Sequence, residues 1–384
     1  MKKIQKTLLL LLTAFAVISI YTSCKKEDLP NGGEPRINYV RVTSPESSDS
    51  LLVGAGQGQL IAIMGDNLQD AVEVWFNDQK AVLTPTYISK SSILISVPTR
   101  IPSTVTNKLK IIFKNGKELE HEFEVQISKP TVSGMLSEFV NEGDVAVIRG
   151  NYFYEPLTVT FTGGVAGELV EVKDQEIQVR VPAGAQQGPI TVKTNFGETK
   201  SNFWFRDNRN VFISSDPFEG WWNAGYVVTN PGQNDPPKIN GNYIRVTKVL
   251  GDWSWNEIAG GDAGSMPNHS KNIPDEAILK PEDYNLKFEV NTLKPYNNSV
   301  IRINVGLYAH AEEDNSNYQW KPPYDTKGQW QTVVIPFDEV VASYAKKPRV
   351  NPAGYWTRLL MQGPGELNAD IAFDTFRIVP KVDK

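Results

Sequence analysis

The chain has 384 residues, with 39 Lys and Arg against 44 Asp and Glu, and a formal net charge of −5. This length exceeds one small core and predicts several domains. Because the two signs of charge nearly balance, the composition gives no reason to expect a nucleic-acid-binding groove, and an uncharged ligand fits better. Cys24 is the only cysteine in the sequence, which excludes an internal disulfide.

The N-terminus has the pattern of an export signal. Basic residues up to Lys6 precede an apolar segment, 7–20, that is too short to span a bilayer comfortably. The segment ends in Tyr21-Thr22-Ser23-Cys24, which resembles the lipobox of bacterial lipoproteins, with Tyr21 where that family usually has leucine. The resemblance implies a signal peptide at 1–24, lipid attachment at Cys24 and a place on the outer surface of the outer membrane. The alternative is an ordinary secreted protein.

A flexible stalk is predicted for 25–35, since this segment ends in a Pro/Gly-rich stretch without periodicity. Beyond it, one pattern of short strands occurs twice, and the second copy begins at Lys129. Alternating apolar residues between turn signals predict β-sandwiches of immunoglobulin size at 36–128 and 129–207.

Each copy contains Gly, then Asp or Asn, then an apolar residue, followed by Val-x-Phe, Val-Pro and a closing Gly hairpin. Gly65–Leu68 and Gly150–Phe153 begin the two copies of this motif. The pattern resembles the IPT/TIG family of immunoglobulin-like domains, which implies a spacer or contact role. Trp75 and Trp204 lie within strand-like runs and are expected to be core residues.

The composition changes at Asn208, because seven of the nine tryptophans lie beyond it. Short candidate strands and long loops predict a jelly-roll β-sandwich at 208–384. The chain is therefore predicted to be all-β, with two tandem immunoglobulin-like (IPT/TIG) sandwiches followed by a larger jelly roll. A short helix is expected at 338–344, after Pro336, and a β-bulge near Asp374. In one strand the alternation predicts Ile301, Ile303, Val305 and Leu307 inside, with Arg302, Asn304 and Gly306 outside.

Exposed indole rings suit the apolar face of a β-linked pyranose, whose hydroxyls need amide, carboxylate and backbone partners. Trp253 and Trp255 are two positions apart and share a face if their segment is extended. Asn256 lies beside them, and the segment leads into a predicted loop, 258–272. The alternative for each indole is a core residue that anchors the loop.

Three further residues are predicted to contact the sugar. Trp320 and Tyr324 lie in a connection stiffened by two prolines, so they have little entropy to lose on binding. In an extended strand one of Trp221 and Trp222 points inward. Trp222 is preferred as the ligand residue, because the flanking Gly220 and Asn223 suggest the edge of a loop. Trp330 is interpreted as structural, and Trp356 is left open.

Catalysis has no support in the sequence. A glycosidase needs two carboxylates at a set distance, and candidates such as Glu257, Asp262 and Asp325 cannot be paired from sequence. The histidines lack zinc-type spacing, and no phosphate loop or nucleophile elbow occurs. No cofactor or metal is predicted. Hydrolysis, or adhesion to a protein partner, remains the alternative to binding.

Together the lipobox, the stalk, the tandem sandwiches and the Trp-rich jelly roll resemble the surface glycan-binding proteins of polysaccharide utilisation systems. The resemblance implies non-catalytic capture of a polysaccharide, a plant β-glucan such as xyloglucan, at the cell surface. It also implies nearby hydrolases and a TonB-dependent importer with its lipoprotein lid as partners.

Overall fold

The computed structural model describes residues 33–44, 46, 49–221, 223–297, 300–306, 318–321 and 323–381. The predicted signal peptide, Cys24 and the stalk up to residue 32 lie outside this range. The chain divides into two compact units, the first ending at Gln126 and the second beginning at Ile127. In the described ranges, no helix is long and apolar enough to cross a membrane.

The first unit is a β-sandwich. Its strands are β1 (Arg36–Val42), β2 (Gly54–Gly56), β3 (Leu60–Asp66), β4 (Ala71–Phe76), β5 (Gln79–Lys80), β6 (Ser92–Ser96), β7 (Lys108–Phe113), β8 (Glu118–Glu122) and β9 (Glu124–Gln126). One sheet has the order β1-β3-β6 and the other β5-β4-β7-β8, while β2 and β9 form a short parallel pair. Alternate residues such as Ile61 and Ile63 of β3 and Leu109 and Ile111 of β7 fill the core between the sheets.

The second unit begins with a sandwich of related topology. Its strands are β10 (Thr131–Met135), β11 (Val145–Asn151), β12 (Leu157–Thr162), β13 (Val165–Ala166), β14 (Glu168–Lys173), β15 (Glu176–Arg180), β16 (Gln186–Thr194) and β17 (Gly197–Phe205). The sheets β10-β11-β15-β14 and β13-β12-β16-β17 enclose a core of their own. The order β13-β12-β16-β17 corresponds to β5-β4-β7-β8 of the first unit, and β10-β11-β15 corresponds to β1-β3-β6, with β14 added.

The rest of the second unit is a larger sandwich. It contains β18 (Val211–Ile213), β19 (Val227–Val228), β20 (Tyr243–Val246), β21 (Val249–Leu250), β22 (Asn256–Gly261), α1 (Asp275–Leu279), β23 (Tyr284–Thr292), β24 (Ile301–Gly306), β25 (Tyr318–Trp320), β26 (Gln331–Pro336), α2 (Phe337–Ala342), β27 (Trp356–Met361), β28 (Leu367–Asn368) and β29 (Ile371–Pro380). One sheet has the order β19-β20-β29-β23-β26, with β18 paired to β29, and the other β22-β27-β24-β25. The main core lies between these two sheets.

The all-β prediction is confirmed. The short helix after Pro336 is present as α2, and the predicted bulge is present in β29, where Thr375 has a φ of 51°. The pairing of β23 with β29 shifts at the same place. Odd-numbered residues therefore face the core before the bulge, and even-numbered residues face it after the bulge. The predicted loop at 258–272 is wrong at its start, because its first residues belong to β22.

One prediction about burial is wrong. Trp75 and Trp204 are half-buried rather than core, since their strand neighbours, such as Val74 and Phe76, take the inward positions. Asn304 lies on the outer face of its sheet, as the alternation predicts, but other side chains cover it and it is only 1% exposed. Leu307 lies outside the described residues.

Candidate functional site

The outer face of the sheet β22-β27-β24-β25 carries a cluster of aromatic and polar side chains. Along β27, Leu359 and Met361 pack into the core, which places the alternate residues Trp356 and Arg358 on the other face. Along β24, the same alternation places Arg302 and Asn304 outside. We name this surface the tryptophan face and define it by Trp221, Trp255, Glu257, Arg302, Asn304, Trp356 and Arg358.

Arg358 lies at the centre of the tryptophan face. Its guanidinium carbon is 4.4 Å from the centroid of the Trp356 ring and 5.5 Å from that of Trp255. Both distances are within the range of cation–π attraction. Glu257 fixes the group from the neighbouring strand, because its Oε1 lies 3.2 Å from the Nε of Arg358 and accepts a 3.2 Å hydrogen bond from the Trp255 Nε1. The arginine and the carboxylate thus hold both indoles in place.

Trp221 completes the aromatic cluster. Its ring centroid is 6.0 Å from that of Trp356, with 47° between the planes, and its backbone N–H donates to the Gly260 carbonyl. The close contact between the backbones at 220 and 260 requires glycine at position 220, because a Cβ on Gly220 would lie 2.5 Å from the Gly260 oxygen. Trp221 is 39% exposed and Trp255 46% exposed, so two indoles offer ring surface to solvent beside the buried Trp356.

A polar anchor holds the segment that carries Trp221. Glu219 accepts a 2.9 Å hydrogen bond from the His269 Nδ1 and a 2.5 Å bond from the Asn268 Nδ2. Burial alone would raise the pKa of Glu219, but the hydrogen bonds from Asn268 and His269 more than offset it, and the pKa is lowered. Glu219 is therefore ionised at neutral pH and ties this segment to the loop at 262–272.

Trp253 is 57% exposed, and the backbone at this residue is not extended. Its φ of 51° is left-handed, and its backbone N–H donates to the Gly363 carbonyl at 2.9 Å. The chain therefore turns at Trp253, and strand alternation does not place it on one face with Trp255. A left-handed non-glycine residue is strained, and such strain concentrates at functional positions.

Asn256 is half-buried, and its side chain stabilises the turn that precedes β22. Its Nδ2 donates to the Ser254 carbonyl and hydroxyl, and in the strand register it lies opposite Met361, whose side chain is in the core. Strand alternation therefore separates Asn256 from the tryptophan face. Trp222 lies outside the described residues.

The expectation of an exposed Trp320 is wrong. Trp320 is 6% exposed and belongs to the main core, where its ring stacks on Tyr296 at 5.7 Å and meets Phe288 edge-on at 5.2 Å. Tyr324 is half-buried and packs edge-on against Trp320 at 5.1 Å. The aromatics of this connection therefore pack into the sandwich. Trp330 is buried and donates from Nε1 to the Pro237 carbonyl, in keeping with its structural interpretation.

Sequence reasoning missed Trp221, Arg358 and Asn304 as site residues and left Trp356 open. A signal for two of them exists: Trp356 and Arg358 are two positions apart in a strand whose alternate residues Leu359 and Met361 are apolar, so they share its outer face. Strand alternation does not distinguish Trp221 from Trp222. The position of Trp221 depends on its backbone contact with Gly260 in β22, which is distant in the sequence.

Several polar atoms of the tryptophan face have no hydrogen-bond partner within the described structure. They are the Nδ2 and Oδ1 of Asn304, the Nε1 of Trp356 and the Nε of Arg302. Burial lowers the pKa of Arg302. Across the described part of the chain, no group of three His, Cys, Asp or Glu side chains could hold a metal ion.

Comparison with known proteins assigns families to two parts of the chain. Residues 205–380 match the model of the surface glycan-binding protein B xyloglucan binding domain, and residues 50–123 match the IPT/TIG domain. An IPT/TIG domain-containing protein of Bacteroides ovatus is 28% identical over 153 residues, which are 38% of this chain and 30% of that protein. The match thus spans less than a third of the relative's length.

A solved structure shows the same fold. The crystal structure of the surface glycan-binding protein PbSGBP-B from Prevotella bryantii is similar over 91% of this chain and 99% of its own, with 22% identity and a TM-score of 0.65. An SGBP-B from a complex xyloglucan utilization locus in Bacteroides uniformis covers 91% of this chain and 100% of its own, with 18% identity and a TM-score of 0.49. Residues 205–380 are therefore similar to the surface glycan-binding protein B xyloglucan binding domain, and residues 50–123 are similar to the IPT/TIG domain.

Proposed function

We propose that this protein captures a polysaccharide of the xyloglucan type at the bacterial cell surface and breaks no bond in it. One observation carries the proposal: the region that matches the xyloglucan-binding family presents two exposed indoles, Trp221 and Trp255, on either side of Trp356 and Arg358. Flat apolar rings beside charged and amide groups suit a pyranose chain, which is apolar on its faces and polar at its edges.

The magnitudes suit a binder. If a stacked sugar removes on the order of 50 Å² of apolar surface per indole, each ring contributes about 1 kcal/mol. Two rings with several hydrogen bonds give an affinity between about millimolar and micromolar. Many sites along one polymer, met by many copies of the protein, would raise the avidity further.

A non-catalytic role agrees with the surroundings of Glu257. Glycoside hydrolysis needs an acid with a raised pKa and a second carboxylate at a set distance. Glu257 is instead ion-paired with Arg358 and hydrogen-bonded to the Trp255 indole, which suits a group that positions the rings.

The lipobox motif supports a lipid anchor at Cys24, and an anchored protein would hold the polysaccharide close to the outer membrane. We propose that nearby hydrolases and a TonB-dependent importer with its lipoprotein lid receive the captured chain. The two immunoglobulin-like sandwiches would act as a spacer.

Affinity electrophoresis of the full chain in gels that contain xyloglucan, mixed-linkage β-glucan or an unrelated α-glucan tests the proposal. Reducing-sugar release is measured alongside. We expect retardation by xyloglucan without release, and about fivefold weaker binding for Trp255→Ala or Trp221→Ala, since about 1 kcal/mol of stacking is lost.

Trp75→Ala is the matched control, because Trp75 is a half-buried indole of the first unit and should leave retardation unchanged. Sugar release would identify a hydrolase. No retardation by any glucan would contradict the proposal and favour an adhesin with a protein partner.

A further inference from the structure

We propose that Asn304 and the Trp356 indole N–H form a hydroxyl-binding subsite in the tryptophan face, which selects the glycan by its hydroxyl pattern. The inference rests on the proposed function and adds to it the residues that discriminate between glucans. Stacked rings accept many pyranoses, whereas hydrogen bonds to buried groups reject a sugar that lacks the matching hydroxyl.

Asn304 and Trp356 carry buried polar atoms that lack hydrogen-bond partners within the described residues. Asn304 is 1% exposed and Trp356 4% exposed, yet the Asn304 amide oxygen and nitrogen and the Trp356 Nε1 have no hydrogen-bond partner within the described structure. Buried polar atoms almost always have a partner, because an unpaired one loses its hydration without compensation. Three unpaired atoms on one sheet face indicate groups that a ligand satisfies.

The strand register brings these groups together. Asn304 lies directly opposite Arg358, and Gly306, two residues along the same strand, lies opposite Trp356. The two side chains are therefore diagonal neighbours across β24 and β27, within reach of one sugar unit. Gly306 has no side chain to separate them.

Their chemistry favours a neutral polyol. An Asn amide donates and accepts, and an indole N–H only donates. Adjacent hydroxyls of a pyranose can accept from Nδ2 and Nε1 and donate to Oδ1. An anion is a poorer match, because the nearby guanidinium of Arg358 is already paired with Glu257.

Both groups are shielded in this structure, so a glycan reaches them only after covering side chains move. Trp221 packs against the Trp356 ring and is partly exposed. We therefore expect association with this subsite to be slower than stacking on Trp255 alone.

The discriminating variant is Asn304→Leu in the full chain, with Asn234→Leu, an exposed position, as the matched control. Leu has the same branched heavy-atom skeleton as Asn but a larger volume, and it removes the unpaired amide. We expect an affinity for a xyloglucan heptasaccharide at least about fivefold lower, because buried hydrogen bonds are lost only from the complex. The control should bind as the wild type does.

A second readout needs no variant. In ¹H–¹⁵N spectra of the wild type, the Trp356 indole resonance should shift on titration with the heptasaccharide, along with the Asn304 side-chain amide. Unchanged affinity of Asn304→Leu, or binding that shifts Trp255 but neither of these groups, would overturn the subsite and leave the proposed function standing. Failure of the wild type to bind any glucan would overturn both.

Discussion

The Nη2 of Arg377 in β29, the last strand, lies 2.6 Å from the Oε2 of Glu138, which follows β10 in the second sandwich. Both side chains are buried. The other carboxylate oxygen of Glu138 lies 2.6 Å from the Lys287 Nζ, and Arg377 also contacts Glu289 at 3.0 Å. Four buried charges thus connect the second sandwich to the large sheet of the C-terminal sandwich.

Removing one of these charges should strongly destabilise the second unit. In Glu138→Gln, the cations of Lys287 and Arg377 lose their shared carboxylate but stay buried, which costs about 3 to 5 kcal/mol. Chemical denaturation measures the free energy of unfolding. The control is Glu171→Gln, which breaks an exposed pair with Lys173 and should cost less than about 1 kcal/mol. Equal effects of the two variants would contradict the assigned role of Glu138.

The same contacts predict the behaviour of fragments. A fragment of residues 208–384 lacks Glu138 and leaves Lys287, Glu289 and Arg377 at a newly exposed surface. We expect it to unfold at lower denaturant concentration than a fragment of residues 127–384. If the shorter fragment had a denaturation midpoint as high as that of the longer one, the two sandwiches would be energetically independent.

The stability of the segment that carries Trp221 should depend on pH through Glu219. The pKa of Glu219 is lowered in the folded state, so its contribution is fully present above the ordinary value of 4.5 and is lost as pH falls through the folded value. Glu219→Gln should therefore reduce the difference in unfolding free energy between pH 7 and pH 3, and weaken glucan binding at pH 7. An unchanged pH difference would rule out this linkage.

Asp374→Asn should stabilise the protein at neutral pH. Burial raises the pKa of Asp374 well above 3.8, with the charges of Glu289 and Asp216 adding to the rise. A raised pKa means that ionisation above pH 3.8 opposes folding, so the gain from Asn grows with pH and vanishes in acid. Melting curves at pH 4 and pH 7 check this, with the exposed Asp174→Asn as control. Destabilisation at pH 7 would show that the carboxylate is needed in its charged form.

Trp320 and Trp253 should respond in opposite ways to truncation. Trp320→Ala empties a core position between Tyr296 and Phe288 and should cost about 3 to 5 kcal/mol of stability. Trp253→Ala removes an exposed ring and should leave stability nearly unchanged. Denaturant midpoints compare the two; a marginal loss for Trp320→Ala would contradict its place in the core.

The all-β class, the repeat of one sandwich and the bulge at Thr375 could all be predicted from the sequence. These features follow from local alternation and turn chemistry, which act over a few residues. Which indoles are exposed depends instead on the tertiary structure. Trp320 and Trp255 have similar loop-like surroundings in the sequence, but one fills the space between two sheets and the other lies at a sheet edge beside Arg358. That difference depends on strand pairing between segments about a hundred residues apart, such as β22 and β27, which periodicity along the chain does not encode.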